Sequence, residues 1–403
     1  MSLHPRLARL FRTLTDEGLR WTLLRPPAAL AEREGDIDLL VRPEDLDRVR
    51  AIVAAQGFVP VPSPDDLHAA DYDAAADRFL WLHVQTELRA GAVAVPAAAV
   101  LDVVVSDPLP RLRDDWLLWT LLLHGLLDKG AIAERHRPVI MRLARSGAAS
   151  AGGCPLAARA AERGLRAELV LPLAAAGDWP ALERLATTAT GARRAPSTRV
   201  RPTGALRRAR RLWQRRGVGV AVIGPDGAGK TTLVTALRDA LPFPAHVQYM
   251  GLTGGRLPRA DALRVPGLVL TARLVILWAR YGIGLAHRLR GEIVLFDRYV
   301  LDGKVPSGAS PGPLARASRR LQAAACPRPD LVVLLDASGT TMHRRKGEYD
   351  SMVLESWRAA YQRLRASRRV AVLDAEQPAD VVAREAKALI WRCYARRWSP
   401  PDV

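Results

Sequence analysis

The strongest chemical signal in the chain is Gly224-Pro225-Asp226-Gly227-Ala228-Gly229-Lys230-Thr231-Thr232. It fits G-x4-G-K-[ST], the phosphate-binding P-loop pattern. Glycines at 224, 227 and 229 let the backbone approach a ligand with no Cβ in the way. A glycine turn at a helix start aims backbone N–H groups at phosphate oxygens, and the helix dipole adds attraction. In this pattern Lys230 reaches the β- and γ-phosphates and Thr231 reaches Mg2+. Only five of the 60 basic residues are lysines, so a lysine here does not follow from composition alone. The plainer alternative is a glycine turn between strand and helix that holds no ligand.

The elements that would position these residues are legible. Val218–Ile223 is an apolar strand-like run, and Thr231–Leu241 reads as a helix. His246–Met250 reads as a second strand, 251–266 as loop, and Val269–Arg288 as a long helix. Glu292–Phe296 is a third strand that runs into Asp297-Arg298-Tyr299. Pro329-Asp330 precedes a fourth strand, Leu331–Leu335, Val370–Leu373 is a fifth, and Ala379–Arg396 is a closing helix. Strands alternating with helices predict an α/β unit with a five-stranded parallel sheet covered on both faces.

A second constellation lies in Gly35-Asp36-Ile37-Asp38-Leu39-Leu40-Val41. Asp36 and Asp38 sit two apart at a strand start, so their carboxylates share one face. Such a pair can hold Mg2+ for nucleotidyl transfer, or can be two solvated acids. Around it, Pro5–Gly18 reads as helix, Leu19–Arg25 as strand, Pro43–Gln56 as helix and Phe79–Leu88 as strand. Glu87 is the one acid left on that last strand to act as a third carboxylate. Trp116–Leu127 reads as an apolar core helix, and His124 as packed or capped rather than catalytic. Residues 151–190 read as Ala- and Leu-rich helices without a fixed repeat.

Length and charge bound the rest. At 403 residues two domains are expected, and 49% apolar with 25% charged residues indicates a soluble globular chain. Cys154, Cys326 and Cys393 are far apart and odd in number, so no disulfide framework or zinc site is indicated. No signal-peptide pattern opens the chain, and the apolar region 265–286 is broken by Arg273 and Arg280. A cytoplasmic protein without a transmembrane segment is expected. The net charge of +19 is uneven: residues 1–190 carry 22 basic and 25 acidic side chains, and 191–217 carry 10 arginines and no acid. No aromatic-interleaved basic face or nucleic-acid module is visible, so no specific nucleic-acid partner is expected. A basic domain that handles polyphosphates accounts for the excess.

From residue 217 to 396 the chain resembles bacterial thymidylate kinases, within the nucleoside-monophosphate kinases. The resemblance rests on the acid Asp226 inside the P-loop and on Asp297-Arg298-Tyr299 closing the third strand. It rests also on Pro329-Asp330-Leu331, the basic stretch Arg344-Arg345-Lys346-Gly347-Glu348, and Leu373-Asp374-Ala375 before the last helix. Residues 15–145 resemble minimal nucleotidyltransferase domains through the strand at 35–41 and the Gly57-Phe58 that ends the next helix. Arg25-Pro26-Pro27 stands where that family has a glycine-serine turn, and His83-Val84-Gln85-Thr86-Glu87 where it has H-x-D-x-H.

These resemblances imply a nucleotidyltransferase-like α+β domain over 1–110, a helical extension over 111–190, a basic linker over 191–216 and a P-loop kinase domain over 217–403. They imply ATP and Mg2+ as cofactors, a nucleotide substrate and a homodimer. Lys230 would hold β/γ-oxygens, Thr231 and Asp297 the magnesium, Arg298 the acceptor phosphate and Asp226 the acceptor sugar. Arg344 and Arg345 stand as candidates for an arginine finger, and Arg273 or Arg280 for a further acceptor contact. Met250, Leu252 and Trp278 are expected to pack, and 303–313 to form a loop over the acceptor. Three functions stay open: a kinase of nucleoside monophosphates with dTMP first, a kinase of another sugar or metabolite chosen by the amino-terminal domain, and a non-catalytic ATP-binding scaffold.

Overall fold

The computed structural model describes residues 3–25, 36–61, 66–90, 93–106, 108–147, 154–190, 217–241, 244–251, 266–305, 313–366 and 370–398. The expected linker 191–216 lies outside the described residues. The chain divides into two compact units: Met1–Asp71 with Arg78–Arg201, and Tyr72–Asp77 with Pro202–Val403. Among the described residues no helix is long and apolar enough to cross a membrane.

The first unit is built on a seven-stranded sheet in the order β3-β4-β5-β2-β1-β9-β8. Its strands are β1 (Trp21–Leu23), β2 (Asp36–Val41), β3 (Val59–Val61), β4 (Leu67–Asp73), β5 (Arg78–Gln85), β8 (Val105–Ser106) and β9 (Pro110–Arg111). Between β5 and β8 the chain forms a separate two-stranded sheet of β6 (Glu87–Ala90) and β7 (Val93–Pro96). β2 pairs antiparallel with β1 and parallel with β5, which sets Asp36 against Trp81 and Asp38 against His83. Alternation along β5 buries Leu80, Leu82 and Val84. These pack with Leu39 and Val41 against the apolar stripes of helices Pro5–Asp16 and Leu46–Ala55.

A second core joins Leu40, Leu88 and Val95 to the helices that follow, through Trp116, Trp119, Leu122, Ile140, Leu156 and Leu182. The helices of 111–190 share one core with the sheet part. Helix Asp114–Leu123 is buried nearly all round and carries into a π-helical turn over His124–Lys129. His124 bonds to Asp128 within that turn, at 2.9 Å.

The second unit is a five-stranded sheet in the order β11-β12-β10-β13-β14, every neighbouring pair parallel. The strands are β10 (Gly219–Ile223), β11 (Ala245–Tyr249), β12 (Ile293–Asp297), β13 (Leu331–Asp336) and β14 (Val370–Asp374). β10 and β12 are buried along their whole length, as strands covered on both faces must be. Helices Lys230–Ala240, Pro266–Leu289, Pro313–Ala324, Gly339–Lys346, Ser351–Gln362 and Ala379–Trp398 supply the cover. This is the α/β unit with a five-stranded parallel sheet expected from the sequence. The first strand of the unit, β10, is central. The chain leaves it toward β11 and β12 on one side and β13 and β14 on the other, so a crevice opens at its carboxyl end. The opposite end is tied by Asp330, which accepts from the Gly219 amide at 2.8 Å and from Arg288 at 2.9 Å, and also pairs with Arg397.

Candidate functional site

The loop 224–229 runs from the end of β10 into the helix that begins at Lys230. Gly229 stands at the helix start with φ 94° and supplies no side-chain cap, so the first-turn N–H groups face the loop. Gly227 has φ 85°, and a Cβ there would lie 2.5 Å from the Met342 carbonyl oxygen. Only glycine permits both that backbone conformation and that approach to helix Gly339–Lys346. An arginine, which some thymidylate kinases have at this point, has no room here.

Lys230 is 6% exposed. Its Nζ donates to the Pro225 carbonyl at 2.5 Å and lies 3.5 Å from Asp226 Oδ1. Burial pulls its pKa down to about 8, with the Arg298 charge adding to the fall. A polyphosphate would add to the counter-charge that Asp226 gives this buried cation.

Thr231 Oγ1 donates to Asp297 Oδ2 at 3.0 Å. Asp297 closes β12 and is buried, and its Oδ1 has no hydrogen-bond partner among the described residues. A buried carboxylate oxygen without a donor is costly. Set beside a P-loop hydroxyl, it fits a hard divalent cation and the waters that cation carries. Thr231 and Asp297 are thus the residues that would hold Mg2+. In the Asp297→Asn protein the Mg2+ concentration for half-maximal activity is expected to rise about tenfold or more. A Mg2+ titration of ADP formation checks this; an unchanged midpoint would remove Asp297 from the metal site.

Asp226 and Arg298 face one another across the crevice and form an ion pair. Burial alone would raise the Asp226 pKa, but Lys230 and Arg298 outweigh it and hold the carboxylate below its ordinary value. Arg298 has φ 66°, a left-handed conformation that costs a non-glycine residue about 1–2 kcal/mol. Its N–H is fixed to the Val222 carbonyl at 3.1 Å, so the sheet itself imposes that twist. The strain aims the guanidinium back at the loop.

One residue here escapes sequence reasoning. Asp302 lies in a 3-10 turn, Val300–Lys304, directly after Asp297-Arg298-Tyr299. Tyr361 donates to its Oδ1 at 2.9 Å, while its Oδ2 is buried without a partner among the described residues. Burial lifts its pKa to about 6 against the opposing pull of Lys230, Tyr361 and Arg298. The segment reads as a glycine- and proline-rich loop with no periodicity, so only its offset from Arg298 was a signal. Residues 306–312 of the expected acceptor loop lie outside the described residues.

The basic helix end behaves differently at each position. Arg345 donates to the Ala375 carbonyl at 2.9 Å, and Arg344 is exposed. Lys346 is paired with Glu348 at 2.9 Å, and its charge also helps to depress Asp226. Arg280 stacks over the Tyr249 ring at 5.5 Å and donates to the Gly251 carbonyl at 3.3 Å, beside the strand ends. Arg273 lies two turns earlier on the same helix. Met250 is fully buried, as expected of packing, but Trp278 is 52% exposed and is no core residue. Leu252 lies outside the described residues.

In the first unit the geometry departs from the expected magnesium pair. Asp38 is 7% exposed, and both of its oxygens are engaged. Arg25 Nε is 2.7 Å from Oδ2, and His83 Nδ1 is 3.1 Å from Oδ1. The side chain of Asp36 lies outside what the structure describes. Glu87 does not join them. β5 ends at Gln85, and Glu87 sits on the separate sheet paired with Arg89 at 2.9 Å. The group opposite Asp38 is the imidazole of His83, whose Nε2 is 3.2 Å from Asp66 Oδ2. Burial pulls the His83 pKa down, but its bonds to Asp38 and Asp66 prevail and raise it to about 9.

Comparison with known proteins adds little to this geometry. No protein-family profile matches the chain, and no curated protein does. Among solved structures it is similar to deoxyadenosine kinase from M. mycoides with bound dATP, at 14% identity and a TM-score of 0.31. The likeness covers 42% of this chain and 97% of that one. A likeness of that size does not speak to substrate.

Proposed function

We propose that residues 217–403 catalyse ATP- and Mg2+-dependent phosphoryl transfer to a nucleoside monophosphate, with dTMP the first acceptor: dTMP + ATP → dTDP + ADP. The observation that carries this reading is the buried, half-satisfied Asp297 beside Thr231 under a glycine-built loop. Phosphoryl transfer asks little covalent chemistry of a protein; it asks for alignment and neutralisation of oxygens. The loop amides and Lys230 take the β/γ-oxygens. Thr231 and Asp297 would hold Mg2+, which would supply charge neutralisation at the transferring group. Arg298, strained toward the loop, grips the acceptor phosphate, and Asp226 receives the acceptor sugar. Arg344 or Lys346 supplies positive charge from the far side as the phosphoryl group moves.

The test is a panel of acceptors assayed by ADP release, with purified full-length chain. Mg2+-dependent ADP formation with dTMP well above the other acceptors is expected. ADP formation no faster with dTMP than without acceptor would remove the nucleoside-monophosphate reading. ATP binding with no acceptor-dependent ADP at all would leave a scaffold.

A second reading, transfer to a hydroxyl of a nucleoside, sugar or other metabolite, is favoured by Asp302. A phosphate acceptor is already anionic, whereas a hydroxyl needs a base to take its proton. Asp302 offers a buried carboxylate oxygen with no partner among the described residues, within the fields of Lys230 and Arg298. A base must be deprotonated, so activity toward a hydroxyl is expected to fall as pH drops through about 6. Asp302→Asn should lower that activity about 10²–10⁴-fold and abolish the acid limb. Activity toward dTMP should keep its rate in Asp302→Asn. The pH profiles of the two proteins with each acceptor decide between the readings.

A further inference from the structure

The first unit holds a cluster that phosphoryl transfer does not use. Asp66 lies immediately before β4, His68 is on β4 and His83 is on the neighbouring strand β5. One donor atom from each lies within 4.8 Å of the other two. The His68 and His83 rings are 4.1 Å apart between centroids, inclined at 38°. All three residues are half-buried.

What distinguishes this cluster from a plain ion pair is how the His83 ring is divided. Nδ1 faces Asp38 Oδ1 at 3.1 Å, and Nε2 faces Asp66 Oδ2 at 3.2 Å. Asp38 is itself held by Arg25 at 2.7 Å, so it is a fixed acceptor. The Gln85 amide also lies 3.1 Å from Nδ1. Once its Nε2 proton is displaced, a histidine that donates Nδ1–H to an anchored carboxylate presents the Nε2 lone pair to a metal. That arrangement recurs where imidazole ligates a metal. Two ligands in a tetrahedron about 2.0–2.1 Å from Zn2+ stand about 3.3 Å apart. The His83–Asp66 separation of 3.2 Å matches that edge.

We propose that Asp66, His68 and His83 bind a divalent transition cation of the Zn2+ type, with Asp38 orienting His83. Two imidazoles and one carboxylate suit such a cation and not Mg2+, which prefers oxygen ligands throughout. Asp38, one of the two acids expected to hold magnesium, thus becomes the outer support of a different metal. Three protein ligands leave a coordination position open, as in sites that bind water or a substrate oxygen.

The experiment uses the untagged full-length chain, stripped with a chelator and titrated with Co2+. Saturation at one equivalent is expected, with a visible ligand-field absorption, no thiolate charge-transfer band, displacement by Zn2+ and none by Mg2+. In the His68→Ala/His83→Gln protein, cobalt affinity should fall at least tenfold. Asp38→Asn keeps all three ligands and should weaken binding about 10–100-fold. Lys230→Met should bind cobalt as wild type does. The wild-type titration needs no variant to fold. Uptake of no Co2+ by wild type, a thiolate band, or equal affinity in the double variant would overturn the proposal.

Discussion

The Lys230→Met protein is expected to lose about 10²–10³-fold in acceptor-dependent ADP formation, about 3–4 kcal/mol of transition-state stabilisation. It should nevertheless unfold at the same or a higher temperature than wild type. Both halves follow from the same burial. Lys230 is 6% exposed, and its pKa is drawn down to about 8, so its charge opposes folding. From an ordinary value of 10.5 that is a cost of about 3 kcal/mol. Because the folded-state value is depressed, the cost is full below about pH 8 and fades as pH rises to the free-lysine value. Methionine keeps much of the volume and removes the charge. Stability spent on a buried cation is what a phosphate site requires. Thermal unfolding at neutral pH, run beside the ADP assay, checks both. A variant that loses activity only because it has lost stability would deny Lys230 a role at the phosphate.

Gly227→Ala is expected to destabilise the second unit by about 2–4 kcal/mol and to weaken ATP binding more than tenfold. Two costs combine at this position. The backbone sits at φ 85°, and the new Cβ would press to 2.5 Å from the Met342 carbonyl. Backbone oxygen cannot swing aside as a side-chain end can, so either the loop or helix Gly339–Lys346 must move. Gly229→Ala separates the two terms. It shares the left-handed backbone, at φ 94°, but meets nothing within 4 Å. It should cost only about 1–2 kcal/mol. Urea denaturation of both proteins measures the difference. Equal destabilisation would mean that the approach of Met342 is not a constraint.

The second unit was legible in the sequence because its signals are local. Val218–Ile223 and Leu331–Leu335 are short unbroken apolar runs of the kind that only a doubly covered strand tolerates, and both became strands of the parallel sheet. The P-loop glycines and Asp297 at the end of β12 fell where their spacing put them. What could not be read depends on rotation and register. Whether Arg344, Arg345 or Lys346 faces the loop turns on the pitch of one short helix; Arg345 was drawn away by the Ala375 carbonyl. Asp302 stands in a stretch with no period, and only the fold reveals that its carboxylate is buried. In the first unit the strand expected to run to Leu88 stops at Gln85, which takes Glu87 out of the sheet. The parallel register of β2 and β5 then makes His83 the partner of Asp38.

Calorimetric titration of the full-length chain with ATP tests the central claim most directly: that the loop from Gly224 to Thr231 holds a triphosphate through buried charge and Mg2+. The expected result is one saturable site, at least tenfold weaker without Mg2+ and lost in Lys230→Met. ATP that binds Lys230→Met as tightly as wild type, or fails to bind wild type with Mg2+ present, would contradict it.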